Sequence, residues 1–303
     1  MGFGNYSYAA HQALTAARGN MNASEVFGQG DIHPKMNPKG VKLRESRDSA
    51  DHASSLPICF ALDISGSMGD IPDLLARKEL PTFMKLLLDT GIADPQVLFM
   101  AFADARCDVT PLQVGQFEST AELIDKWLTM TSLFCGARGS AYNGELQGGE
   151  SYELALHFVA HHTATDSFEK RKHKGYLFMT GDEPAYPAVP RETVQIVLGY
   201  DPERDIPIEE VVKDLRRAWK PFFLIPDEGR RGVEGDWRKV FDRDVLCMQG
   251  AADTCAVAAS LVALGEGIVK DAGELERVLK KSGLPDDRVS GTLAAIRPWL
   301  AAG

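Results

Sequence analysis

The sequence predicts an α/β fold: a doubly wound, mostly parallel central sheet flanked by helices. Two observations carry this. Five short runs, LPICFALD (56–63), PQVLFMAFAD (95–104), KGYLFMTGD (174–182), PFFLIPD (221–227) and DVLCM (244–248), are rich in Val, Ile, Leu and Phe and show no polar alternation. Strands buried on both faces read this way, as in a parallel sheet. Between the runs lie amphipathic segments of helical length, and such alternation winds a sheet through right-handed crossovers.

Composition sets the outer limits. The chain has 303 residues, 44% apolar and 25% charged, which is globular composition and long enough for a sizeable core. The net charge of −10 argues against broad nucleic-acid binding, because a phosphate backbone needs a basic surface. No apolar stretch approaches the roughly 20 residues that a bilayer needs, so no membrane span is expected. The first residues, MGFGNYSYAAHQAL, lack a basic region followed by an apolar one, so no secretory leader is expected. The five cysteines (Cys59, Cys107, Cys135, Cys247 and Cys255) are odd in number and form no CxxC pair. They read as reduced thiols, and the expected location is cytoplasmic.

Taken in order, residues 1–55 read as an N-terminal arm. Residues 6–18 predict one short helix ended by Gly19; GQGDIHPKMNPKG reads as loop and RESRDSADHASS as a charged connector. The α/β domain is expected over 56–268. After its first strand, Asp70 and Pro72 start a helix that Pro81 should kink or restart. DVTPLQVGQFE (108–118) suits an antiparallel edge strand, and a helix is expected at 119–130. Over 150–163, Leu154, Ala155, Phe158, Val159 and His162 form an apolar stripe opposite Glu150, Glu153, His157 and His161. Asp205 is placed to cap a helix with Pro207 in its first turn, whose apolar face is Ile208, Val211, Val212, Leu215 and Trp219. Residues 251–268 form a small-residue helix suited to packing on a sheet. The tail, 269–303, predicts two more helices split at Gly283-Leu284-Pro285.

The chemistry is expected where the strands end, since ligands of open α/β sheets bind beyond the carboxyl ends. Four runs finish in an acid: Asp63, Asp104, Asp182 and Asp227. For Asp104 and Asp227 the plainer role is to end a strand and cap the next helix. Asp63 opens Asp63-Ile64-Ser65-Gly66-Ser67, an acid and two hydroxyls at i, i+2 and i+4 around a glycine turn. Hard oxygens facing one point suit Mg²⁺, Mn²⁺ or Ca²⁺; a serine-rich turn capping the next helix is the alternative.

FALDISGSM resembles the metal-ion-dependent adhesion site of von Willebrand factor A domains, whose signature is D-x-S-x-S after the first core strand. The resemblance covers roughly 56–268 and implies a Rossmann-like fold. It also implies a further ligand Asp after a later strand, which is Asp182 in LFMTGDEP, and a Thr from a second loop. That Thr is missing: Glu150 stands in its place with Ser151 next. Either Glu150 binds the metal, adding charge that favours Ca²⁺ or Mn²⁺, or it caps the helix and Ser151 is the ligand. The family implies a protein-binding module whose divalent cation takes a carboxylate from a protein partner. Intracellular bacterial members often work beside AAA+ ATPases, which would make this chain an adaptor.

Three other readings stand beside this one. A metal-dependent hydrolase or phosphatase could use Asp63 as nucleophile, but haloacid-dehalogenase-like enzymes need an Asp where Ser65 stands. A scaffold with a non-functional metal site is the other alternative. The glycine-rich 135–149 segment matches no nucleotide-binding motif and reads as a rim loop. His157 and His161 have the i, i+4 spacing of zinc ligands but lack the HExxH glutamate, so a solvated face is the plainer reading. KRKHK (170–174) is either solvated loop or a second docking surface for an acidic partner.

Overall fold

A computed structural model describes residues 4–27, 30–133 and 150–301. Its centre is a six-stranded sheet: β1 (Leu56–Asp63), β2 (Pro95–Phe102), β3 (Leu112–Val114), β4 (Gly175–Thr180), β5 (Trp219–Ile225) and β6 (Val245–Cys247). The spatial order is β6-β5-β4-β1-β2-β3, parallel throughout except for β3, which runs antiparallel to β2 at the edge. The fold is therefore mixed α/β with a mostly parallel central sheet flanked by helices.

Every residue of β1 and β2 is buried, which is why these runs show no polar alternation. Successive side chains of β1 feed two cores. Ile58, Phe60 and Leu62 pack with Phe83 and Leu87 of α2 (Leu80–Thr90) and Val257 and Leu261 of α7 (Thr254–Gly265). Cys59 and Ala61 pack with Leu154 and Phe158 of α4 (Tyr152–His161) and Val211 and Leu215 of α5 (Ile208–Ala218). On the first face also lie α3 (Ala121–Thr129), α8 (Ala272–Lys281) and α9 (Asp286–Ala301); on the second lies α6 (Glu234–Phe241).

Pro81 restarts its helix, as its position predicts, while several other local expectations are corrected. The chain runs through Ile71–Leu74 and a π turn at Leu75–Glu79 into α2, where Pro81 sits in the first turn and its missing N–H is not needed. Asp205 does not cap α5; its carboxylate accepts from Arg191 N–H at 2.8 Å, and Pro207 holds the cap position. The arm is more ordered than a helix followed by connector. Its helix α1 (Tyr8–Ala17) packs on α3 and α2, with Arg18 paired to Asp125. Arg44–Ser46 then pairs in parallel with Thr163–Thr165. The 170–174 basic cluster is partly neutralised by that arm, where Asp48 meets Arg171 at 2.7 Å and Lys170 at 3.4 Å, and by Asp166 of its own helix, 2.7 Å from Lys170. Among the described residues no helix is long and apolar enough to cross a membrane. Cys59, Cys107, Cys247 and Cys255 are free thiols; Cys135 and the 135–149 glycine segment lie outside the described residues.

Candidate metal centre

The chain leaves β1 to one side, toward β2, and returns to β4 on the other. The crevice between the carboxyl ends of β1 and β4 is thus the switch point of the sheet. Leu62 is paired with Thr180, so Asp63 and Asp182 leave neighbouring strands at nearly the same height.

The Asp63 carboxylate is fully buried. One oxygen accepts from Ser65 N–H at 2.8 Å, which curls the chain back at the strand end. A short 3-10 turn, Gly66–Met68, comes next, and it closes at Gly69 with φ +55°, a backbone that favours glycine. This turn brings Ser65 Oγ to 3.0 Å from Ser67 Oγ, and Ser67 Oγ donates to Asp182 Oδ1 at 2.8 Å. Three of the oxygens expected to converge therefore form one chain, and Asp63, tied to Ser65, completes the set.

Their spacing fits a hard dication. An octahedral ion with bonds of about 2.1 Å sets adjacent ligand oxygens about 3 Å apart, close to the 3.0 and 2.8 Å of this chain. The charges point the same way. Burial, opposed by bonds from Ser65 and Tyr152, pushes Asp63 up to about 7. Glu150 is pushed up to about 9, first by burial and then by Asp63, Asp104, Asp108 and Glu183, and its Oε2 is buried without a hydrogen-bond partner. Crowded, desolvated carboxylates of this kind are what a cation relieves. Among the described residues no group of three or more His, Cys, Asp or Glu is placed to hold a metal. The residues that the structure brings together here are two acids and two hydroxyls, with Glu150 close enough to feel Asp63. Ser151 faces another loop: its Oγ accepts from Ala105 N–H at 2.9 Å.

Two residues at the site escaped the sequence reading. Tyr152, fully buried at the start of α4, donates to Asp63 Oδ2 at 2.5 Å, and its oxygen also accepts from Asp182 and Glu183 N–H at 3.2 Å each. One hydroxyl so joins the two acid loops. Gly181 makes room for it, since a Cβ there would come within 2.1 Å of that oxygen. Arg230, in the turn Glu228–Val233, donates from Nε to Asp182 Oδ2 at 3.0 Å, from Nη1 to Asp227 Oδ2 at 2.5 Å and from Nη2 to the Ser67 carbonyl at 2.7 Å. Behind it Trp237 stacks on Phe223 at 3.7 Å and donates to the Glu183 carbonyl at 2.9 Å.

The remaining candidates are structural. Asp104 Oδ1 accepts from Arg106 N–H at 2.9 Å and Oδ2 from Tyr186 Oη at 3.0 Å, holding its own turn. His157 is buried and bonded to Tyr200 Oη at 2.5 Å, so of the solvated pair expected there only His161 is exposed.

No protein-family model matches the chain, and no curated protein matches its sequence. Among solved structures it is similar to proximal thread matrix protein 1 from the mussel byssus, at 13% identity over 69% of this chain and 47% of that one, with a TM-score of 0.43. A second structure of that protein, with a zinc-occupied MIDAS motif, gives 12% identity, 73% and 49% coverage and a TM-score of 0.44. Pilus adhesin SpaC from Lactobacillus rhamnosus GG, in an open conformation, gives 10%, 77%, 31% and 0.45. The chain spans half or less of the length of these proteins.

Proposed function

We propose that this chain is a metal-dependent protein-binding module. The observation that carries it is the convergence of Ser65, Ser67 and Asp182 oxygens at ligand spacing on the switch point of the sheet, with the Asp63 carboxylate held beside them by the Ser65 N–H. Asp63 and Asp182 hold the charge of the ion, Ser65 and Ser67 supply neutral oxygens, and Glu150 adds a third carboxyl nearby. Bound there, a divalent cation such as Mg²⁺, Mn²⁺ or Ca²⁺ supplies a Lewis-acidic point for a partner's carboxylate. The site runs from buried Asp63 outward to exposed Ser67, so one side is open to a partner. The partner class is a protein presenting an acidic side chain. An AAA+ ATPase as that partner, with this chain as its adaptor, rests on the resemblance of the FALDISGSM segment alone.

Calorimetric titration with Mg²⁺, Mn²⁺ and Ca²⁺ tests the site. Uptake by the wild type is expected, with loss in Asp63→Ala and in Asp182→Ala while circular dichroism stays unchanged. Wild-type uptake retained in both variants would show that these residues are not the ligands. No uptake by the wild type would leave a scaffold without a working metal site. Affinity purification with wild type, with Asp63→Ala and with chelator then tests the partner: a prey lost in both latter samples is metal-bridged. Turnover of a generic phosphoester, abolished by Asp63→Asn, would replace binding with catalysis.

A further inference from the structure

We infer that Arg230 is a tethered cation that competes with the divalent ion for Asp182; this rests on the metal-site reading above. The guanidinium is bound to the site's own groups. Its Nε takes the Asp182 oxygen that Ser67 leaves free, and its Nη2 holds the carbonyl of Ser67 itself. Both oxygens of Asp182 are thereby engaged, one by a hydroxyl and one by a fixed positive charge. Asp182 has only 8% of its side chain exposed, so it gains more from a nearby cation than an exposed acid would.

The tether can also let go. Arg230 sits in a six-residue 3-10 turn with none of its residues buried, between β5 and α6. Its side chain is 27% exposed and lines an open groove with Met68, Gly69, Asp70, Arg77 and Asp227. Leaving Asp182 therefore requires no unpacking of the core, and the bond to Asp227 keeps the arginine at hand. A dication at Asp63 and Asp182 repels the guanidinium and draws on the same carboxylate. Loading the site and tethering the 228–233 turn then oppose each other by the same factor, so loading frees the turn.

The sign of the effect separates this role from its opposite. An arginine that merely supports the Asp182 loop would weaken metal binding when removed; a competitor strengthens it. In calorimetric titration of the full chain with MgCl₂ and MnCl₂ at low ionic strength, Arg230→Gln is expected to bind roughly tenfold more tightly than wild type, as one unit charge leaves the rim. Arg230→Lys keeps the charge and is expected to lie nearer the wild type, which also covers the case of a Gln variant that folds poorly. Amide exchange in residues 228–233 of the wild type should speed up on adding Mg²⁺. Equal or weaker binding by Arg230→Gln, or unchanged exchange on loading, overturns the inference while leaving the metal site standing. If neither wild type nor Arg230→Gln takes up metal, the site reading itself fails and this inference falls with it.

Discussion

Tyr152 shows how much of a site can hang on one hydroxyl. It donates to a fully buried carboxylate and accepts two backbone N–H groups from the loop that carries the second acid. Tyr152→Phe removes the donor without changing the packed ring, which contacts Phe102 and Trp237 edge-on. Asp63 Oδ2 then loses its donor in a dry site, at a cost of about 1–3 kcal/mol. Urea unfolding is the measurement, and a change below about 0.5 kcal/mol would show that another group takes over the bond. The sequence exposes the acids and serines of this site because polar atoms at the end of apolar runs have few other reasons to be there. It hides Tyr152, whose ring continues the apolar stripe of YELAL. Arg230 is hidden too: it stands in a charged run, and its partners Asp182 and Ser67 are 48 and 163 residues away.

At the scale of elements, α4 departs furthest from its pattern. Its sequence alternates an apolar stripe with Glu153, His157 and His161, which reads as one wet face. In the fold, α5 and the chain near Tyr186 and Tyr200 close over most of that face, leaving Glu153 and His157 0% and 3% exposed while His161 at its end stays open. Burial holds the Glu153 carboxyl well above its ordinary range. A periodicity reports which residues are apolar, and a helix covered on both sides is left to the topology. The same limit hides Arg44–Ser46 and Thr163–Thr165, whose three-residue strands are too short to show a period. The long strands are legible because burial on both faces leaves an unbroken apolar run. Burying His157 has a pH consequence. Burial first, then His161 and His162, lowers it from 6.5 to about 3, so between those values the unfolded chain binds a proton that the folded chain refuses. Stability therefore falls as pH drops from 6.5 toward 3, by up to about 1.4 kcal/mol per unit from this residue. Denaturant midpoints at pH 6 and pH 4, compared between wild type and His157→Gln, are expected to show a shallower acid loss in the variant. Equal slopes would mean that His157 charges in the folded state.

At the scale of the whole molecule, the last helix is joined to the face of the sheet that carries α2 and α7. Arg288, in the first turns of α9, donates from Nε to Asp253 Oδ1 at 2.6 Å and from Nη2 to Glu79 Oε2 at 2.8 Å. Glu79 closes the π turn before α2, and Asp253 precedes α7, so one guanidinium joins three helices. Both acids are only 7% exposed. Further along α9, Gly291 allows the close approach, since a Cβ there would meet Asp253 at 2.2 Å, and Trp299 packs on Phe222 while donating to Asp244 at 2.9 Å. A buried ion pair is weak evidence of net stability, but breaking one by removing a single partner is costly because the other charge stays buried. Arg288→Met leaves two such carboxylates and is expected to cost about 3–5 kcal/mol. Adding Glu79→Gln to Arg288→Met should recover part of that loss, because one stranded charge is gone. A double-mutant cycle by urea unfolding measures both quantities. A loss under about 1 kcal/mol, or no recovery in the double variant, would mean that water reaches these acids and that the apolar contacts of α9, such as Leu293 and Ile296, hold it alone.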